Sequence, residues 1–98
     1  YVDNILTGEF KKFYENGFLQ SICKYIDGKK NGEMNWYFEN GKKLKIERYV
    51  NGIIEGWVKE YFEDGETVMK ETLYVSGKME NSKEYDKEGN IIWLYGYD

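Results

Sequence analysis

Along the chain, apolar and aromatic residues alternate with polar ones in runs of about eight residues, and a polar cluster containing Gly ends each run. Alternation with a period of two is the mark of a half-buried strand. No stretch of helical length shows the 3.6-residue apolar spacing of an amphipathic helix, and the breaks come too often for helices. The breaks are of two kinds, Glu-Asn/Asp-Gly and Asp/Asn/Ser-Gly. Asn and Asp tolerate left-handed backbone angles and Gly adopts them without a Cβ clash, as a tight reversal between twisted antiparallel strands requires. The pattern therefore predicts strand, turn, strand, turn, with no helix.

The breaks recur at a fixed interval. Gly8, Gly32 and Gly56 are 24 residues apart, as are Gly17, Gly41, Gly65 and Gly89; Gly28 and Gly52 are 24 apart, and Gly77 follows after 25. GEFKKFYENG (8–17), GEMNWYFENG (32–41) and GWVKEYFEDG (56–65) are one pattern written three times, and NSKEYDKEGN (81–90) is a degraded fourth copy. Hairpins joined by short turns can only meander. The expected fold is all-β, a single extended antiparallel β-meander of stacked 24-residue hairpin repeats with about eight strands. It forms one repeat domain over residues 1–98: a partial repeat at 1–7, full repeats at 8–31, 32–55 and 56–80, and a degenerate capping repeat at 81–98. Because the chain opens in mid-period, further repeats are expected before Tyr1.

Columns of equivalent positions place aromatics on both faces. Phe13, Tyr37, Tyr61 and Tyr85 form one column, Tyr14, Phe38 and Phe62 the next, and Tyr25, Tyr49, Tyr74 and Tyr97 another, while Ile22, Ile46 and Leu94 align elsewhere. Rungs of rings across adjacent repeats can stabilise a sheet that has no second layer. The extra residue between Gly65 and Gly77 would reverse every following side chain, so a β-bulge is expected near Val68 to Thr72. Cys23 shares its column with Glu47 and Tyr95, which implies a partly exposed strand residue.

DGKKNGEMNWYFENGKK (27–43) and NGIIEGWVKEYFEDG (51–65) resemble MORN repeats, with Asn/Asp-Gly-Lys, three residues, Gly, an aromatic and a second Gly turn. The spacing and the Lys after the turns are most similar to the bacterial variant type, often grouped with toxin-antitoxin antitoxins. Thr7, Asn31 and Glu55 stand where the eukaryotic pattern often has His. The resemblance implies a non-catalytic binding or scaffolding protein and, for the variant type, an immunity role against a partner toxin.

Composition narrows the chemistry. There is no His, and the single Cys has no base to activate it, so a nucleophile-base pair is missing and no internal disulfide can form. The single glycines lie in hairpin turns with no following helix, which sets aside a phosphate loop. Glu15, Glu39, Glu63 and Asp64 fall on turn tips, where solvation leaves carboxylates at their ordinary pKa and no loop offers the closely spaced oxygens of a calcium site. No enzyme, cofactor or metal is expected.

Net charge is −4, which opposes nucleic-acid binding, and no apolar run has the roughly 18 residues that span a bilayer. The charge is uneven: residues 1–49 hold 9 Lys/Arg and 7 Asp/Glu (+2), and residues 50–98 hold 5 and 11 (−6). An acidic half suits a basic protein partner such as a nuclease toxin. Trp36, Trp57 and Trp93 lie outside the glycine columns and vary from copy to copy, so with Glu60, Glu63, Asp64 and Glu66 they are the candidate partner-binding residues. The alternative is binding of glycans or lipid head groups by the aromatic face. Exposed edge strands also predict self-association.

Overall fold

The computed structural model describes residues 7–96. Among these there is no helix, and one antiparallel sheet carries every strand. The strands are β1 (Gly8–Phe13), β2 (Leu19–Ile26), β3 (Lys29–Lys30), β4 (Gly32–Tyr37), β5 (Lys43–Val50), β6 (Ile53–Ile54), β7 (Gly56–Tyr61), β8 (Val68–Val75), β9 (Lys78–Tyr85) and β10 (Ile91–Tyr95). Eight follow one another as β1-β2-β4-β5-β7-β8-β9-β10, while the two-residue strands β3 and β6 pair with β2 and β5. This is the meander that the repeats dictate. Its extents of 51 × 36 × 13 Å have the thickness of a single layer. Of the partial repeat over residues 1–7, all but Thr7 lies outside the described residues, as does Tyr97.

The Asp/Asn/Ser-Gly breaks close two-residue hairpins. Asp27, Asn51 and Ser76 each have φ 51°, and the glycines that follow have φ 81°, 85° and 84°, the pair of positive angles of a type I′ turn. Consecutive turns also bond to each other. Gly52 N–H donates to the Lys30 carbonyl at 2.8 Å, and Gly77 N–H to the Ile54 carbonyl at 3.0 Å. Thr7, Asn31 and Glu55, three chemically different residues in one column, all reach the next turn. Thr7 Oγ1 accepts from Asp27 N–H at 3.2 Å, Asn31 Nδ2 donates to Asn51 Oδ1 at 3.2 Å, and Glu55 Oε1 accepts from Ser76 N–H at 3.0 Å.

Every wider hairpin carries a bulge at the same place. Phe13 pairs with Leu19 and Lys12 with Ser21, leaving Gln20 unpaired, and the same shift leaves out Leu44, Met69 and Ile92. A bulge does lie within Val68 to Thr72, but it is the one common to all copies and does not absorb the extra residue of the third repeat. That residue sits in the turn: Tyr14 and Phe38 bond to the residue four positions on, whereas Phe62 N–H donates to Thr67, five on. A solvated tip can lengthen without disturbing the ladder, which a strand cannot. The register recovers because β9 is one residue short. It runs unbroken over eight residues with a single bulge at Glu80, where earlier copies split into two plus six. In the last copy the polar residues Asn81–Asn90 lie one strand in from the edge of the described sheet, and the strand at that edge, β10, is the apolar Ile-Ile-Trp-Leu-Tyr.

Candidate interaction surface

Side chains of successive strand residues point to opposite faces, so the register sorts the sheet into rows. One row of the front face is Phe10, Cys23, Met34, Glu47, Val58, Thr72, Ser82 and Tyr95. Its six inner members are buried, with Val58 and Thr72 at 3% exposure and Ser82 at 0%. In a single layer, a row flanked on both sides and by neighbouring strands loses its water, and this row, with Ser21 beside it, is the core. Cys23 is therefore buried rather than partly exposed, because Phe10 and Met34 flank it within the row. The polar members are satisfied: the Thr72 and Ser82 hydroxyls bond at 3.1 Å. Glu47 Oε1 accepts from Trp36 Nε1 at 3.0 Å, and its Oε2 lies 3.4 Å from Lys45 Nζ.

Two further rows flank the core on this face. On one side Tyr25, Tyr49 and Tyr74 stand opposite Gly8, Gly32 and Gly56, whose φ angles of 126°, 99° and 87° are ones that side chains rarely adopt. Phe10 and Tyr25 meet with centroids 5.0 Å apart, and Lys30 Nζ lies 4.9 Å from the Tyr49 ring centre. Burial pushes the Tyr49 hydroxyl above its ordinary pKa, helped by the charge of Glu47 and its hydrogen bond. On the other side runs Lys12, Ser21, Trp36, Lys45, Glu60, Lys70, Glu84 and Trp93, with opposite charges adjacent from Lys45 to Glu84. Trp93 stacks on Tyr95 at 6.2 Å with ring planes 9° apart. Between the rows, a shallow groove of about 280 Å³ is lined by residues that include Phe10, Tyr25, Met34 and Trp36, with Lys12 and Lys30.

Residues 6–27 and 30–51 match the MORN repeat variant. No curated protein and no solved structure matches the chain. The two matched segments hold β1, β2, β4 and β5, and the third copy repeats the two-residue turn and the bulge of the first two.

On this sheet the sequence candidates separate into three places. Trp36, Glu60 and Trp93 share one front-face row. Trp57 is on the back face, opposite Leu73 and 46% exposed. Glu63, Asp64 and Glu66 occupy the tip of the lengthened turn. There Asp64 departs from the ordinary carboxylate expected of a solvated tip. The Thr67 hydroxyl, with the backbone N–H groups of Thr67 and Glu66, holds it at about 2. Hydrogen bonding to the ionised form does this without burial.

Glu47, Tyr49, Lys12, Lys30, Lys45, Lys70 and Glu84 belong to the surface and are absent from the sequence candidates. Glu47 is the one charged residue in the column of Cys23, Thr72 and Tyr95, and that oddity was visible in the sequence. Among the described residues, no group of three or more Cys, Asp or Glu side chains is placed to hold a metal ion.

Proposed function

We propose that the chain is a non-catalytic protein-binding platform whose partner lies across the front face. The observation that carries this is the row of Trp36, Lys45, Glu60, Lys70, Glu84 and Trp93, half-exposed rings and paired charges set on a hydrogen-bonded bed. MORN repeats are compatible with a binding or scaffold module of this kind. Tryptophan and tyrosine contribute disproportionately at protein interfaces, and a ring already held in place loses little entropy on binding. Trp36 is held by its bond to Glu47 and Trp93 by its stack on Tyr95.

The acidic second half, net −6, gives the partner its chemistry: a basic protein, steered by charge and anchored by the rings. The finer form of the proposal is an antitoxin that covers the basic working surface of a toxin, drawn from the resemblance to the variant repeats. The test is co-expression of the chain with a basic protein encoded beside it in the native genome, read by native mass spectrometry. A complex lost in Trp36→Ala/Glu60→Lys and kept in Trp57→Ala supports the front face. A complex indifferent to the first variant contradicts it.

The groove between the rows favours a second reading, an anionic lipid or glycan head group bound by Lys12 and Lys30 against Phe10, Tyr25 and Trp36. Vesicles of phosphatidylserine would then retain the chain and lose it on Lys12→Glu/Lys30→Glu. Equal retention of both, or of neither, removes this reading.

A further inference from the structure

Asn followed by Gly is a reactive pair in a protein chain, because the side-chain carboxamide can close a five-membered ring on the next backbone nitrogen and Gly has no Cβ to crowd the approach. The chain holds four such pairs, Asn16-Gly17, Asn31-Gly32, Asn40-Gly41 and Asn51-Gly52, all within the described residues. Ring closure asks three things of the fold: a Gly nitrogen that can leave its hydrogen bond, a carboxamide that can turn, and an amide nitrogen able to depart. The four pairs differ in all three.

Two pairs are locked into the ladder. Asn31 Nδ2 donates to Asn51 Oδ1 at 3.2 Å, and Gly32 opens β4 opposite Tyr49 of β5. Asn51 is held through that same oxygen, and Gly52 N–H donates at 2.8 Å to the Lys30 carbonyl of β3, so this pair comes loose only if the junction between two turns opens. The other two pairs sit at the tips of the wider hairpins, where Gly17 N–H and Gly41 N–H bond only within their own turns, to the Tyr14 and Phe38 carbonyls. Asn16 is pinned at both ends: Oδ1 accepts from Phe18 N–H at 3.0 Å, and Nδ2 donates to the Glu39 carbonyl of the next tip at 2.9 Å. Asn40 is pinned at one end. Its Oδ1 accepts from Lys42 N–H at 2.9 Å, and its Nδ2 has no acceptor among the described residues. The corresponding acceptor would be the Glu63 carbonyl, but the tip that carries it is the one lengthened by a residue.

We propose that Asn40 is a site of spontaneous deamidation and the first of these four asparagines to convert. The Gly41 nitrogen gives its proton to hydroxide and attacks Asn40 Cγ. The new C–N bond closes a five-membered imide, the Cγ–Nδ2 bond breaks, and the departing nitrogen takes a proton from water to leave as ammonia, which regenerates hydroxide. Water then opens the imide: cleavage between the nitrogen and Cγ yields aspartate, and cleavage between the nitrogen and the backbone carbonyl carbon yields isoaspartate. Aspartate suits this tip. Asp64 holds the matching place in the third copy, and its carboxylate accepts Glu66 N–H at 2.8 Å as Asn40 Oδ1 accepts Lys42 N–H. Isoaspartate adds a methylene to the backbone and lengthens the tip. Either product adds one negative charge to the formal −4 of the chain. The inference stands apart from the front-face reading, since it concerns the turn edge and needs no partner.

The test is timed incubation of the folded 98-residue chain at mildly alkaline pH, followed by tandem mass spectrometry of its proteolytic peptides. This locates each exchange of NH2 for OH, and electron-based fragmentation tells aspartate from isoaspartate. One neutral hydrogen bond is worth a factor of about 2 to 10 in an equilibrium, so Asn40 converts at least about twice as fast as Asn16, and Asn31 and Asn51 convert last. Conversion through global unfolding would level the four rates, because Gly follows every one of these asparagines. Conversion of Asn16, Asn31 or Asn51 as early as Asn40, or no conversion of Asn40 in the folded chain, overturns the proposal. Deletion of Glu66 is a second arm. It gives the third tip the length of the others and brings the Glu63 carbonyl to the place beside Asn40 that Glu39 holds beside Asn16. With the sheet confirmed by circular dichroism, Asn40 then slows to the rate of Asn16; an Asn40 rate unchanged by the deletion overturns the proposal.

Discussion

Replacing Glu47 tests how the front face is held. Glu47 is 8% exposed and accepts the Trp36 indole N–H at 3.0 Å, with Lys45 Nζ at 3.4 Å. Glu47→Ala removes a hydrogen bond to a charged acceptor, about 1.5–3 kcal/mol, and leaves the indole N–H half-covered without a partner. It also removes one buried methylene, about 0.8 kcal/mol. Together these come to about 2.5–4 kcal/mol, a large share of the roughly 5–15 kcal/mol that holds a small domain. Glu47→Gln keeps the methylenes and an acceptor for Trp36 and loses only the charge facing Lys45. Since the Lys45 side chain is 34% exposed, solvent screening holds that loss to about 1 kcal/mol. Urea unfolding followed by tryptophan fluorescence measures both. Equal midpoints for the Ala and Gln variants, or a cost below about 1 kcal/mol for Ala at an unchanged m-value, would refute the reasoning.

Three further outcomes follow from the turns and the core row. Ser82→Ala leaves the buried Thr72 hydroxyl unpaired and costs about 1–3 kcal/mol, whereas Thr72→Val/Ser82→Ala together cost much less, a coupling that a double-mutant cycle measures. Gly52→Ala forces a Cβ onto φ 85° and costs about 1–2 kcal/mol in thermal or chemical unfolding; a neutral result would contradict the type I′ assignment. Asp64 titrates near 2 by carbon-detected NMR, and Thr67→Val moves it back toward 3.8. A depressed folded pKa means that the contribution of Asp64 is present above 3.8 and is lost as pH falls toward 2. An Asp64 that titrates at 3.8 in the unaltered chain would show that the turn bonds do not form.

The fold was legible because its information is local and repeated. Asp27-Gly28, Asn51-Gly52 and Ser76-Gly77 specify their turns by chemistry, and the 24-residue interval then leaves one way to pair the strands. What could not be read was where a one-residue change is absorbed. Glu66 in the turn and the shortening of β9 cancel each other, so Tyr85 and Gly89 return to their columns and the columns alone look undisturbed apart from Tyr74 and Gly77. Burial was also misjudged at Cys23. Column chemistry suggested exposure from Glu47 and Tyr95, whereas burial depends on rank within the row: Glu47 is inside it, bonded to Trp36, and Tyr95 is on its last strand.

The candidate surface was half legible for a related reason. The sequence names tryptophans and carboxylates but assigns them to no face until the bulges are placed. The bulge at Ile92 gives Trp93 to the same row as Trp36, and a register without it would send Trp93 to the back. Trp57 is one residue out of phase with Val58 and faces the other way.

The account rests on an open single layer with both faces in water, and small-angle X-ray scattering of the chain, extrapolated to zero concentration, tests that most directly. A compact 98-residue domain has a radius of gyration of about 13 Å. The sheet has a Cα radius of gyration of 15.4 Å within extents of 51 × 36 × 13 Å. The account predicts the scattering of a plate, with a radius of gyration at or above 15.4 Å and a thickness of one sheet. A radius near 13 Å with a globular profile would mean that the layer folds back on itself, and the exposed front face would not exist.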